Sequence, residues 1–146
     1  MNEASENKND MTTSGLLRVL KASPECFKEK YIGPADNRTF QEYLKDLMEK
    51  RGVSASLLIR DSFISKTYFY QFLSGERLPG RDMALRLAFS LHLSVEETQT
   101  FLTLAKCGVL YPKIRRDAAI LYCLQKEMSL PDSDEYLSEI GEDAML

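Results

Sequence analysis

Several things are scarce in this chain, and each shortage closes a class of function. Its 146 residues include one histidine, three cysteines and no tryptophan. Cys26, Cys107 and Cys123 are odd in number and form no C-x-x-C pair, which argues against a disulfide framework and against a thiolate metal site. With a single histidine there is no supported base and nucleophile from which to assemble a triad, and no cluster of ligands at metal spacing. His92, set among leucines after a helical segment, is expected to end that helix. The Gly75 to Gly80 stretch lacks the Lys-Ser/Thr of a phosphate-cradling loop. The chain is therefore read as non-enzymatic, with no cofactor and no metal. No apolar run approaches the ~20 residues that a bilayer core demands, and the mixed-charge opening MNEASENKND is not a secretory signal. The expected location is the cytoplasm, with no membrane partner.

Strict apolar–polar alternation is also missing, so no strand is expected. What is present is helical periodicity. Residues 1–13 offer little apolar surface and are expected to be disordered, and 14–36 are expected to form an N-terminal helical arm. Thr39-Phe40-Gln41-Glu42 is a capping box, followed by Phe40, Tyr43, Leu44, Leu47 and Met48 at i, i+3, i+4, i+7 and i+8, with Gly52 as the stop. Ser54 caps a short helix through Leu57, Leu58 and Ile59, and Ser65 caps another through Phe69, Phe72 and Leu73, stopped by Gly75. Between these two lie only Ser62, Phe63 and Ile64, a join short enough to force a steep crossing. A further helix runs from about Arg81 to Leu91, and another from the capping box at Ser94 to Gly108. The last two hold Ala118 to Leu124 and Leu130 to Ile140. The fold class expected is all-α: a compact multi-helix domain, with extra helices at both ends of a five-helix core.

Charge is uneven. The net charge is −3, but residues 129–146 hold six acidic groups and no basic one, whereas residues 37–128 carry 14 basic and 10 acidic groups. A basic centre is thus hidden behind an acidic tail.

The run VSASLLIRDSFISKTYFYQFLSGER, residues 53 to 77, resembles the helix-turn-helix of the lambda-repressor-like, XRE-type regulators. YQFLSGERLPGRD, LSVEETQTFLTLAKCGVLYP and RRDAAILYCL resemble a bacterial subgroup with a C-terminal helical extension. The resemblance implies a helix-turn-helix domain over 37–108, an extension with an acidic tail over 109–146, and a role as a sequence-specific DNA-binding transcriptional regulator, a homodimer whose third helices enter successive major grooves about 34 Å apart. The wheel of that third helix puts Phe69, Phe72 and Leu73, with Tyr68 beside Phe69, on an inward stripe, and Lys66, Thr67, Tyr70, Gln71 and Ser74 outward. Lys66 then offers a contact to guanine or phosphate, Gln71 a bidentate pairing with adenine, and Thr67 a hydrogen bond or a methyl contact to thymine. Tyr70 offers a hydroxyl to phosphate. Ser54 and Ser65 open the two helices, and helix-end N–H groups favour anions. Arg77 and Arg81 would flank double-stranded DNA as phosphate clamps.

Phe63 stands where the family usually has Gly, so the turn is expected to differ in geometry, since a bulky residue at positive φ costs roughly 1–2 kcal/mol. Ile59 replaces a small residue and is expected to widen the crossing. Lys113, Arg115 and Arg116 are read as a charge cluster answered by Asp117 or by the acidic tail. The tail is also expected to screen the basic centre, so that removing residues 129–146 would tighten DNA binding. A second reading keeps the same shape but makes it a protein-interaction adaptor, with the acidic C-terminal tail and the aromatic third helix as its contacts.

Overall fold

The computed structural model describes residues 37–146, so the expected disorder of 1–13 and the helical arm over 14–36 lie outside the described residues. Within them there are seven α-helices and no strand: α1 Phe40–Arg51, α2 Ala55–Ser62, α3 Lys66–Ser74, α4 Arg81–Ser90, α5 Val95–Leu104, α6 Arg115–Gln125 and α7 Leu130–Glu139. Both capping boxes form. Thr39 Oγ1 accepts from the Glu42 N–H while Glu42 accepts from the Thr39 N–H, and Ser94 and Glu97 do the same for α5. Each box satisfies two orphan donors of a helix N-terminus. Ser54, Ser65 and Ser129 cap α2, α3 and α7 through their hydroxyls.

The helix ends are less regular than glycine placement suggests. Gly52, Gly75 and Gly141 take the left-handed region, but so do His92 (φ 57°), Lys106 (φ 63°) and Glu127 (φ 55°). In each of these three, the next residue's N–H reaches back five residues to close the turn: Leu93 to Ala88, Cys107 to Leu102 and Met128 to Cys123. That closure satisfies the free carbonyls of the last turn and holds a non-glycine residue in a conformation it disfavours. His92 thus ends α4 as expected. By contrast α5 stops at Leu104, short of Gly108, because Lys106 makes the reversal instead.

One apolar core runs through all seven helices. Phe40 and Phe101 meet with ring centroids 4.7 Å apart, and Phe69, Phe72, Leu44, Leu58 and Leu87 are fully buried around them. Helix α1 packs on α3 and α5, α2 packs on α4, and α4 on α5 and α7, while α6 lies between α5 and α7. Gly75 is where α1 presses closest on the end of α3. A Cβ there would sit 2.4 Å from the Gln41 side-chain nitrogen, at a φ of 88°. A larger residue there would have to displace the Gln41 side chain and would carry left-handed strain.

Several ion pairs among the described residues tie distant segments. Arg81 grips Asp117 with both ends of its guanidinium (2.9 and 2.8 Å) and donates to the carbonyls of Gly108 and Val109. Its hydrogen bond to Asp117, working against burial, holds the Arg81 pKa above the ordinary guanidinium value. Arg81 is therefore an internal brace and not a phosphate clamp. On the other side of the molecule Arg51 pairs with Glu97. Burial pushes the Glu97 carboxyl up, but the Ser94 N–H and Arg51 outweigh it and the net shift is downward. A carboxyl with a depressed folded-state pKa contributes stability above its unfolded pKa and loses it as pH falls through the folded value. Urea titrations at neutral pH and at about pH 3, bracketing a carboxylate's usual titration range, are expected to show a smaller acid-induced loss for Glu97→Gln than for the wild type.

Candidate nucleic-acid interface

Helices α2 and α3 are joined by Phe63, Ile64 and Ser65, and Phe63 occupies the left-handed region at φ 59°, ψ 29°. Despite its bulk, Phe63 takes the left-handed conformation, so the backbone reverses there with phenylalanine in place, 58% exposed. The reason is a clamp from α4. Arg86 Nε donates to the Ser62 carbonyl (3.0 Å) and its Nη2 to the Phe63 carbonyl (2.6 Å), so one guanidinium holds both carbonyls at the bend. Charge-assisted bonds of this kind are roughly twice as strong as neutral ones, enough to offset left-handed strain. Phe63→Gly is expected to leave stability unchanged or raise it by up to about 1 kcal/mol, as the relieved strain exceeds the added chain entropy; chemical denaturation measures it.

The two helices lean mainly on other partners, α2 on α4 and α3 on α1, and Ile59 is half-buried. Helix α3 buries Phe69 and Phe72 and half-buries Leu73, as its wheel predicts. Tyr68 departs from that stripe. It is 40% exposed, its ring stacked on Phe72, with the Arg77 guanidinium 5.2 Å above it.

The eight residues expected at the interface divide by what their polar groups already do. The Ser54 and Ser65 hydroxyls cap their own helices, which aims the free N–H groups at the starts of α2 and α3 outward. Ser74 donates to the Gln71 carbonyl and accepts from the Glu76 N–H, closing the end of α3. Gln71 is only half-exposed, and its Oε1 accepts from Arg77 Nε at 2.9 Å. That contact occupies the acceptor a bidentate pairing with adenine needs. Arg77 lies across the end of α3 with no partner for its Nη groups among the described residues, and Glu76 forms no ion pair with it. Lys66, Thr67 and Tyr70 remain: all three are exposed on the first turns of α3, and their polar atoms have no hydrogen bond or ion pair among the described residues. Sequence reasoning missed Arg86, whose sequence signal is a single cation within the apolar stretch Met83–Phe89 of α4.

Burial pushes the Cys107 and Cys123 thiols up, away from nucleophilic thiolate. Among the described residues no His, Cys, Asp and Glu side chains cluster as metal ligands, and no helix is long and apolar enough to cross a membrane. A groove of about 1040 Å³ opens near the ends of α4 and α6, lined by polar side chains, Arg51, His92, Glu96, Gln125 and Glu127 among them, and by apolar ones, and no residue of α2 or α3 borders it.

The tail does not reach toward α3 with its charges. Arg115 pairs with Glu142, and Arg116 pairs with Asp82 and donates to the carbonyls of Asp143 and Ala144. The cluster at the start of α6 is thus answered largely by the tail, as expected, while Asp117 serves Arg81. Asp134 is buried and accepts from the N–H groups of Met145 and Leu146, fixing Met145 in the core. Cutting away 129–146 would remove Leu130, Leu137 and Met145 from that core, so truncation tests folding and not release of a screen. Comparison with protein-family models, with curated proteins and with solved structures finds no match to this chain.

Proposed function

We propose that the protein is a sequence-specific double-stranded-DNA-binding regulator whose α2–turn–α3 unit is a helix-turn-helix of the lambda-repressor-like kind, with α3 in the major groove. The observation that carries this reading is the state of α3. Its first two turns present Lys66, Thr67 and Tyr70 exposed, their side-chain polar groups without a hydrogen bond among the described residues, on a helix fixed behind by buried Phe69 and Phe72 and in front by the Arg86 clamp. A rigid helix with free donors at its N-terminal end is what reading base edges requires. Lys66 meets guanine or phosphate, Thr67 a base edge, and Tyr70 a phosphate oxygen, with the N-termini of α2 and α3 on the backbone. Arg77, already laid along the helix end, offers its Nη groups to a flanking phosphate.

The adaptor reading draws on one specific observation. Leu57, Phe63, Tyr68, Tyr70 and Leu78 are all at least 38% exposed around the same unit, more apolar surface than a phosphate-facing helix needs. Binding selection on random duplexes, followed by a salt titration, separates the two. One enriched site and a steep fall of affinity with salt support the regulator, whereas weak binding with no preferred sequence supports the adaptor.

A further inference from the structure

We propose that the groove near the ends of α4 and α6 is the docking site of this chain's own residues 14–22. No residue of α2 or α3 borders the groove, so the inference stands apart from the reading of α3. At about 1040 Å³ it has room for a short peptide segment. Phe89, Leu93, Leu124 and Met128 give it an apolar wall, and Glu96 and Glu127 stand exposed beside them. Neither carboxylate has an ion pair among the described residues. Arg51 also lines the groove, but its guanidinium is spent on Glu97 and on the His92 carbonyl. Glu96 has a local reason to be acidic, because it lies in the first turn of α5, where the helix dipole favours an anion. Glu127 is placed the opposite way. It follows the last turn of α6, at the end where the dipole favours a cation, and it holds a positive φ of 55°. A carboxylate kept at the unfavourable helix end, beside a partly apolar groove, is explained by a cation that comes to meet it.

The chain itself supplies such a cation. SGLLRVLKA, residues 14–22, lies outside the described residues and joins Leu16, Leu17, Val19 and Leu20 to Arg18 and Lys21, with no acidic residue between 11 and 24. Its chemistry complements the groove: apolar side chains for the wall, two cations for the two carboxylates. The other apolar stretch before α1, from Cys26 to Ile32, holds Glu29 and follows Glu25, so it answers an acidic groove less well. The tether fits too. Lys21 lies 16 residues before Asn37, and a coil of that length spans roughly 20–24 Å. Arg51 borders the groove at the far end of α1 from Phe40, and that 12-residue helix is about 18 Å long. A tether whose typical span matches the distance gives the highest effective concentration, on the order of 1 mM. A segment with a Kd of about 100 µM is then held in the groove about ten times as often as it is free. A separate protein of the same chemistry has no such advantage.

Limited proteolysis of the full chain by a nonspecific protease tests the assignment. Cuts within residues 14–22 are followed by mass spectrometry, and each rate is divided by that of a synthetic peptide of the same sequence. The wild-type segment is expected to be cut about tenfold more slowly than its peptide, matching the fraction of time it is free. Glu96→Lys with Glu127→Lys is expected to bring the rate up to that of the peptide, and so is Arg18→Glu with Lys21→Glu, because like charges then face each other. The four substitutions together are expected to regain protection, since each reversed charge finds its opposite. Circular dichroism shows that the variants are folded, and Arg18→Glu with Lys21→Glu leaves every described residue unchanged. A wild-type segment cut as fast as its peptide overturns the proposal. So does protection that survives either pair of reversals in a folded variant, or a folded fourfold variant that stays unprotected.

Discussion

Asp117→Ala is expected to lower the free energy of unfolding by about 3–5 kcal/mol, the usual consequence of removing one partner from a buried ion pair. Asp117 is only 2% exposed. Its two oxygens take both ends of the Arg81 guanidinium, and one of them also accepts from the Tyr111 N–H. The substitution therefore strands a cation in a half-buried site and orphans a backbone donor in the same stroke. Against a total stability of roughly 5–15 kcal/mol for a domain of ordinary size, that is a large fraction. Urea denaturation followed by circular dichroism gives the number. Arg81→Met with Asp117→Leu, replacing both charges by apolar groups, is expected to recover the part of the loss that comes from the stranded cation, while the Tyr111 N–H and the Gly108 and Val109 carbonyls lose these partners. A loss under about 1 kcal/mol for Asp117→Ala, the range of exposed pairs, would mean the brace is solvated and contributes little.

Changing Lys66, Thr67 and Tyr70 together to Ala is expected to reduce affinity for the selected duplex to the nonspecific level, a loss of about a thousandfold or more. The three positions are expected to fail in different ways when changed singly. Lys66→Ala, at a base edge, should cost about 1–3 kcal/mol and relax the preference at one position of the site. Tyr70→Phe, losing only a phosphate contact, should weaken binding evenly across sequences. Thermal denaturation of the same variants should match wild type, since none of the three side chains is buried or bonded to its own chain among the described residues. Gln71→Ala separates the two uses of that residue. If its amide serves mainly to seat Arg77, the variant loses affinity broadly without changing the preferred sequence.

The arrangement of the helices was legible in the sequence to different depths. The two capping boxes, the serine caps at Ser54 and Ser65, and the inward pairs of α1 and α3 were readable because a capping oxygen and a 3.6-residue period are local properties. The end of α5 was not. Lys106 adopts a conformation that glycine would adopt more readily, and nothing in its own side chain announces that a five-residue closure from Cys107 holds it there. Phe63 shows the same limit more sharply. Its bulk disfavours a positive φ, yet it holds one, and the group on the carbonyls of that bend is Arg86, 23 residues away. Long-range partners also decided the fate of the cations: Arg81, read as a clamp, is taken up by Asp117, and Arg116, read as part of a cluster answered by Asp117 or the tail, pairs with Asp82. Tyr68 is exposed with its ring against Phe72 and the Arg77 guanidinium over it, and Arg77, nine residues on, lies beyond the helical wheel of α3.

Backbone amide shift mapping tests the central claim most directly. The full chain, labelled with nitrogen-15, is titrated with the selected duplex and its shifts followed residue by residue. The account predicts that the largest changes fall at the opening turns of α3, residues 65–70, and at the start of α2 beside Ser54, with α6 and α7 little affected. Changes confined to the groove between α4 and α6, or none at α3 when duplex and protein are equimolar, would contradict it.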